Sequence, residues 1–277
     1  MIKIMRKSTL PPGPLLALTC VMILCMAAIL APFIAPHDPT VNHMNLRLQP
    51  PSAEFWLGTD HLGRDIFSRL LYGARISLGS ALIVVAVSML ISIVVGIISG
   101  YSGGVIDSLF MRACDVLISF PGLILVFALI AILGAGLLNL LVAMILVFWI
   151  SDARLIRGMA LSLKKRNYVI AAKLSGTPAP IIVCRHILPN VLPQVIILAT
   201  LNIGSVILHI AAFSFLGLGI QPPAPEWGTM LNDSRPFLRS NPELMIGPGL
   251  MIFIVVLSFN ILGDHYRDRK DFSLKEL

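Results

Sequence analysis

The feature that most constrains this chain is a series of long segments without any Asp, Glu, Lys or Arg. Such segments occupy residues 8–37, 76–106, 116–150 and 187–225, and in the last of them only His209 can carry a charge. Charged residues make up 13% of the chain, against about 25% in soluble domains. Since about 20 apolar residues cross the hydrocarbon core of a bilayer as a helix, these segments predict an integral membrane protein.

The membrane spans are predicted to be α-helices because the apolar runs are continuous, whereas the strands of a barrel would alternate between apolar and polar residues. The first span is placed at 14–34. A secretory signal peptide is the alternative for this segment, since Lys3, Arg6 and Lys7 precede it. However, Pro36 directly follows the only late site with small residues and disfavours cleavage. The sequence therefore favours a retained span.

Five further spans complete a predicted all-α fold with six transmembrane helices. They are placed at 76–106, at two positions in 116–150 that must extend past Asp115 and Asp152 to reach full length, at about 192–215 and at about 245–263. The turn within 116–150 is predicted at Gly134 to Gly136, followed by Asn139. Gly96 and Gly100 in the second span have the spacing that lets two helices approach closely, although such glycines equally mark the end of a span.

The distribution of basic residues predicts the orientation in the membrane. Six spans place both termini on one side. The two tails and the loops 101–115 and 152–190 contain 15 Lys and Arg, whereas the opposite loops contain 6. By the positive-inside rule, the termini are cytoplasmic and the loops 36–75 and 216–244 face outward together. The predicted organisation is a tail and first span at 1–35, an extracytoplasmic loop at 36–75, and a five-span core at 76–277.

Several function classes lack their motifs in this sequence. No Gly-Lys pair occurs, so the GxxxxGK[ST] phosphate loop is absent and no ATP site is expected on this chain. There is no HExxH or GxSxG, and the six histidines and four cysteines are scattered. We therefore expect neither a membrane enzyme nor a structural metal site. The net charge of +7 is attributed to the cytoplasmic face and not to nucleic-acid binding.

The charged residues nearest to the spans bear on the energy source. Ion-coupled carriers usually place ionisable residues near the bilayer midplane. In this chain such residues are predicted to lie near the cytoplasmic ends of spans, namely Asp107, Arg112, Asp115, Asp152, Arg154 and Arg157. A passive channel and a permease powered by another protein therefore remain as interpretations.

The cytoplasmic segment after the basic run Lys164 to Arg166 carries the next signal. Residues Tyr168 to Ser175 include good helix formers and are followed by Gly176, a typical helix stop. Pro178 and Pro180 are expected to prevent continuation and to hold the next residues extended. The sequence predicts a short, rigid helix exposed to the cytosol; an amphipathic helix lying on the membrane is the alternative.

This segment resembles the cytoplasmic EAA loop of ABC-importer permeases, which reads Glu-Ala-Ala, three residues, Gly, nine residues, then Ile-x-Leu-Pro. The matching residues are Ala171, Ala172, Gly176, Leu188 and Pro189. Ile170 and His186 depart from the family's Glu and Ile. The resemblance implies that the loop, at about 157–190 and including Arg185 and His186, couples the spans to a separate ATPase subunit.

Two further segments resemble signatures of the second permease subunit of dipeptide, oligopeptide and nickel ABC importers. They are WLGTDHLGRDIFSRLLYGARISL at 56–78 and SFLGLGIQPPAPEWGTMLNDSR at 214–235. The resemblance implies the type I ABC-importer permease fold in a bacterial inner membrane. It also implies a heterodimer with a homologous permease, an extracytoplasmic solute-binding protein, and two ATPase subunits that hold ATP and Mg²⁺, with no cofactor on this chain itself.

Both signatures fall in the predicted outward loops. We expect Asp60, Arg64 and Asp65 to form a structural ion-pair cluster and not a substrate site. Glu226 and Trp227 are expected to be exposed, where they either contact the binding protein or orient the loop at the membrane interface.

The fifth span carries the substrate signal. The segment LNIGSVILHIAAFSFLGLG at 201–219 looks closer to the nickel branch than to the peptide branches. His209 within it is expected to face the bundle or the pathway, because a polar residue facing lipid is costly. Its two interpretations are a hydrogen bond between helices and a ligand for Ni²⁺, which neutral imidazole suits. The predicted function is transport of nickel or a related metal ion or chelate, with a dipeptide or oligopeptide importer as the alternative.

Overall fold

Helices dominate the computed structural model, which describes residues 11–275, with side chains to residue 268. No β-strand occurs within that range, and the predicted all-α fold is confirmed. The basic residues Lys3, Arg6 and Lys7 of the amino-terminal tail lie outside it. The helices are α1 (Pro12–Ile34), α2 (Ile66–Ser102), α3 (Gly104–Ile118), α4 (Gly122–Leu133), α5 (Leu137–Lys164), α6 (Asn167–Leu174), α7 (Ala179–Ile182), α8 (Leu188–Phe215), α9 (Trp227–Ser234) and α10 (Glu243–Lys275).

Five helical segments are each long and apolar enough to cross a membrane, and a sixth candidate span is a bent pair of helices. The five are α1, α2, α5, residues Glu243–Asp268 of α10 and the continuous helical segment from α7 through α8. The sixth is the pair α3 and α4, which meet at 86°. Proline supplies no N–H and disfavours helical geometry in the residue before it, and Pro121 stands directly before α4. Because α4 has only 12 residues, it is too short to cross a bilayer alone.

One predicted boundary needs correction in this region. The third span extends past Asp115 through most of the segment 101–115, which was predicted to be a loop, because its first half is α3, which begins at Gly104. The turn before α5 is where the sequence predicted it: Gly134 and Gly136 have φ of 89° and 146°. The Asn139 side-chain amide donates hydrogen bonds to the carbonyls of Leu133 (2.8 Å) and Gly134 (3.1 Å), which satisfies the carbonyls at the end of α4.

The loop before α2 is shorter than predicted. The helix begins at Ile66, not at 76, and runs for 37 residues. Asp65 caps it, since its carboxylate accepts hydrogen bonds from the backbone N–H groups of Phe67 (3.4 Å) and Ser68 (3.1 Å). The loop contains a single 3-10 turn at Met44–Leu46.

α2 and α5 approach each other closely at two glycines. A Cβ atom on Gly96 would lie 2.7 Å from the Ala153 carbonyl oxygen, and one on Gly100 would lie 2.8 Å from the Ala160 Cβ. Both distances are shorter than atoms tolerate, so these positions accept only glycine without a shift of the backbone. The two glycines are therefore contact residues between spans and do not merely mark the end of a span.

Ion pairs tie the bent span to α5. The Arg157 guanidinium donates to both carboxylate oxygens of Asp107, at 2.5 and 2.6 Å, in the two-point geometry that such pairs favour. One turn along α5, Arg154 pairs with Asp115. α5 thus lies against α2 through glycines and against α3 through charges. α2 also contacts α1 and α8, and α10 covers α1 and α8.

We predict that Gly96→Ala destabilises the protein by about 1–3 kcal/mol, the usual range for overpacking, because the added methyl group meets the backbone of α5. Gly79→Ala is the matched control in the same helix, since a Cβ there meets nothing within 4 Å. Thermal melting of the purified protein measures both. Equal melting midpoints for the two variants would contradict the assigned contact.

Candidate functional site

A polar cavity lies between helices of an otherwise apolar bundle and opens to its surface, where Ser151 and Ser205 are exposed. Its volume is about 360 Å³, and side chains of α2, α4, α5 and α8 line it. Apolar residues such as Val147 and Val206 form part of the wall. The polar lining residues are Ser88, Ser151, Asp152, Asn202, Ser205 and His209. We refer to this space as the central cavity.

Asp152 is the charged group of the central cavity. Its side chain is buried, and the Asn202 side-chain amide donates a hydrogen bond of 2.8 Å to its Oδ2. α5 continues as a helix through Arg154, Arg157 and Lys164, so Asp152 lies near the middle of the helix.

His209 lines the same cavity, so the expectation that it faces the bundle is confirmed. Its Nδ1 lies 3.4 Å from the Ser205 hydroxyl, one turn earlier in the same helix. Its ring contacts Phe148 of α5 edge to face, with centroids 5.3 Å apart. His209 was expected to form a hydrogen bond between helices, but its hydrogen bond lies within α8. Among the described residues, no group of three or more His, Cys, Asp or Glu is placed to hold a metal ion.

A second, larger cavity opens at the α6 end of the bundle. It has a volume of about 960 Å³ and is lined by α5, α6 and α8. Both cavities use one face of α8, because its polar residues are spaced by three, four or eight positions, which correspond to about one or two helical turns. These residues are Asn190, Gln194, Asn202, Ser205 and His209. We call this set the polar face of α8; its helical spacing within an apolar segment was a readable signal that the sequence analysis missed.

The predicted cytoplasmic helix is present as α6, with bounds one residue earlier than expected. Gly176 follows it with φ of 78°, a backbone conformation that favours glycine. Val169 is buried and anchors the helix, Ala172 is half-buried, and Ala171 is exposed. Two apolar side chains point away from the fold, Ile170 with 45% and Leu174 with 84% of its surface exposed. α6 therefore presents an apolar surface that the described residues leave uncovered.

The segment after α6 differs from expectation. Residues 179–182 are helical and not extended, because Pro180 stands within the first two positions of α7, where a missing N–H is harmless. A π-helical turn at Val183–Ile187 follows, in which the Leu188 N–H bonds to the Val183 carbonyl.

The second half of the EAA-like motif therefore belongs to the long helical segment that ends as α8. Arg185 is exposed, and His186 is half-buried near the ring of Tyr168. Leu188 begins α8, while Pro189 lines the larger cavity. The motif is thus a short helix joined through one turn to a span.

The two large loops meet at the opposite end of the bundle through charges. Arg64 contacts Asp60 at 2.7 Å and Asp233 at 3.3 Å, and Arg69 contacts the same two carboxylates at 3.4 and 3.7 Å. The predicted pair of Asp60 and Arg64 is confirmed, whereas Asp65 instead caps α2. We call the four residues the ion cluster. Arg69 and Asp233 were missed because their pairing joins distant parts of the sequence.

Glu226 and Trp227 are not exposed, and that expectation is wrong. Both have 0% exposure. The Glu226 carboxylate caps α9 by accepting from the N–H groups of Gly228 and Thr229, and it also accepts from the Ser77 hydroxyl, each at 3.0 Å. The Trp227 indole N–H donates to the Leu70 carbonyl at 3.1 Å. Both side chains fasten α9 to α2.

We predict that Arg64→Ala lowers stability by about 3–5 kcal/mol, because it removes one of the two buried cations that neutralise the carboxylates of Asp60 and Asp233. Arg235→Ala is the control, since Arg235 follows Asp233 by two positions but is exposed. Chemical unfolding of the purified protein, followed by intrinsic fluorescence, measures the difference. A variant at Arg64 that unfolds like the control would show that the cluster contributes little.

Comparisons with known proteins agree with this architecture. Residues 92–272 match the family model described as "Binding-protein-dependent transport system inner membrane component". Residues 12–51 match the model described as "N-terminal TM domain of oligopeptide transport permease C". The first match contains α5, α6, α8 and all lining residues of both cavities except Val85 and Ser88.

Individual relatives extend the similarity over nearly the whole chain. A nickel transport system permease protein of Escherichia coli (strain K12) is 41% identical over 92% of both chains. A dipeptide transport system permease protein of Alkalihalophilus pseudofirmus is 42% identical over 99% of this chain and 89% of its own. A glutathione transport system permease protein of Pectobacterium atrosepticum is 43% identical over 92% and 85%. The chain therefore belongs to the inner-membrane components of binding-protein-dependent transport systems, as a multi-pass permease subunit of an ABC importer and not an enzyme.

Proposed function

We propose that this permease translocates nickel, or a related metal ion or metal chelate, across the inner membrane. The observation that carries the proposal is the joint lining of the central cavity by the His209 imidazole and the Asp152 carboxylate. Nitrogen and oxygen ligands of this kind are compatible with Ni²⁺. His209 acts as a transient ligand during passage, and the binding protein selects the metal.

A dipeptide or oligopeptide is the second candidate cargo. The dipeptide and glutathione permeases are as similar to this chain as the nickel permease, at 42%, 43% and 41% identity. Overall similarity therefore favours none of them. The volume of the central cavity, about 360 Å³, also lies within the range of pockets that take small organic molecules.

The assembly proposed around this chain contains a homologous permease, two ATPase subunits and an extracytoplasmic binding protein. ATP and Mg²⁺ are held by the ATPase subunits, and this chain holds no cofactor. Both termini face the cytoplasm and the ion cluster faces outward. The basic residues at the α6 end support this orientation by the positive-inside rule; they include Lys164, Lys165, Arg166, Lys173 and Arg185. Exposed apolar side chains such as Phe33 and Ile132 contact lipid.

α6 is the proposed docking element for an ATPase subunit. Its uncovered residues Ile170 and Leu174 suit insertion into an apolar groove. Because Ile170 replaces the family's Glu, this contact relies on apolar burial in place of a salt bridge. α7 and the π-helical turn connect α6 to α8, so displacement of α6 moves the helix that carries the polar face.

For docking, we predict that Leu174→Glu reduces co-purification of the ATPase subunit and ATP-driven uptake at least tenfold, because burying a charge opposes docking. Leu238→Glu is the control, since Leu238 is also an exposed leucine, at 53%, near the opposite end of the bundle. Membrane levels of both variants are compared by immunoblot. Normal ATPase retention by the Leu174 variant would refute docking through α6.

For the cargo, cells that lack other nickel importers and express the complete set of subunits should accumulate radiolabelled nickel. Deleting this chain should abolish that uptake, because no other subunit of the set completes the pathway. Uptake of a labelled dipeptide is measured in parallel. Nickel uptake that is unaffected by the deletion would sink the nickel proposal, and dipeptide uptake that depends on this chain would support the second candidate.

A further inference from the structure

Asp152 is a buried carboxylate without a cation. Only 8% of its surface is exposed, and within the described part of the chain no Lys, Arg or His lies within salt-bridge distance of it. The arginines that follow it on α5 are occupied, since Arg154 pairs with Asp115 and Arg157 pairs with Asp107. Ionisable residues inside membrane spans are expensive and are usually functional.

The surroundings of Asp152 suit a positive charge. Its neighbours in the central cavity are neutral groups that offer oxygen or nitrogen lone pairs: the side chains of Ser151, Asn202, Ser205 and His209. Asn202 holds Oδ2 in place through its hydrogen bond. A cation that enters the cavity therefore meets a fixed carboxylate and several acceptors, and it replaces the water that would otherwise solvate that carboxylate.

Asp152 lies along the route for cargo that the polar face of α8 implies. The larger cavity at the α6 end uses Asn190 and Gln194 of that face, and the central cavity uses Asn202, Ser205 and His209. One turn beyond His209, Phe213 packs on Phe127 with ring centroids 4.8 Å apart. The polar lining thus ends at an aromatic contact. Asp152 lies on the same side of this contact as the larger cavity.

We propose that Asp152, held by Asn202, is a transit site for a positively charged group of the cargo. This inference deepens the proposed transport function and rests on it. The shared chemistry is a cation held by one carboxylate and neutral acceptors. Its source is either a divalent metal ion or the ammonium group of a peptide, and His209 distinguishes the two because an imidazole ligates a metal but does not bind an ammonium in the same way.

The first test measures uptake by the complete complex in cells. The probes are radiolabelled nickel, a labelled dipeptide and the same dipeptide with an acetylated amino terminus. Asp152→Asn keeps a polar group of the same size that can still bond to Asn202 but removes the charge. We expect the Asp152→Asn variant to take up whichever cationic probe the wild type carries at least tenfold more slowly. The uptake rate of the acetylated peptide should be the same as in the wild type. A double variant that combines Asp152→Asn with Asn202→Asp places the carboxylate on residue 202 and should recover uptake.

The result then separates the two sources of the cation. His209→Ala should slow uptake of nickel and leave the dipeptide unchanged if the cargo is a metal ion. Wild-type rates in the Asp152→Asn variant would overturn the transit site. An equal loss for the charged and acetylated peptides would also overturn it, because the residue would then be structural. Membrane level and ATPase co-purification are measured for every variant.

A second test does not require transport and so separates this inference from the proposed function. In a complex whose free cysteines, including the exposed Cys184, are replaced by serine, Ser205→Cys is modified by a cationic and by an anionic methanethiosulfonate of similar size. The cationic reagent should react several-fold faster, and Asp152→Asn should remove that preference. Equal rates with Asp152 present would overturn the proposal even if the complex transports no tested cargo.

Discussion

The contact of Gly96 and Gly100 with α5 is the constraint on which the rest of the structure depends. Lipid offers little hydrophobic drive for one helix to prefer another, so spans associate through close packing and polar contacts. With the backbone of α2 against Ala153 and Ala160, the neighbouring positions on α5 are fixed in rotation. One of them directs Asp152 toward α8, while the two arginines that follow reach α3. A single close approach therefore places both the cavity and the bent span.

The two ends of the bundle are held in different ways. At one end, the ion cluster, the Glu226 cap and the Trp227 indole connect the loops and α9 to α2 through buried polar contacts. Such contacts have few alternative arrangements, because each broken bond leaves a buried group unsatisfied. At the other end, α6 is anchored by Val169 and leaves Leu174 uncovered. The fold is therefore rigid where two loops meet and adaptable where a partner subunit is proposed to bind.

Much of this architecture could be predicted from the sequence because membrane spans obey simple rules of length and charge. The turn before α5 and the helix α6 were predicted because Gly134, Gly136 and Gly176 act locally. The pair of Asp60 and Arg64 was also predicted, since the two residues stand four apart. Each of these effects acts between residues that are close in the sequence and is therefore visible in it.

The errors share a physical cause, since charge was taken as a sign of exposure. Glu226 is charged but buried, because it satisfies the N–H groups at the start of α9. For the same reason, α2 was predicted to start after Arg75, although its cap is Asp65. In each case tertiary contacts between distant segments, which no local pattern reveals, decided where the polar group lies.

The π-helical turn at Val183–Ile187 has a consequence for direction. A π turn contains one residue more than an α turn, and each added residue rotates all later side chains by about 100° around the helix axis. The direction in which Asn202, Ser205 and His209 point around the axis of α8 is therefore set by the backbone of Val183–Ile187. Tightening that turn to α-helical geometry would rotate the polar face about the helix axis, without any change in those side chains themselves.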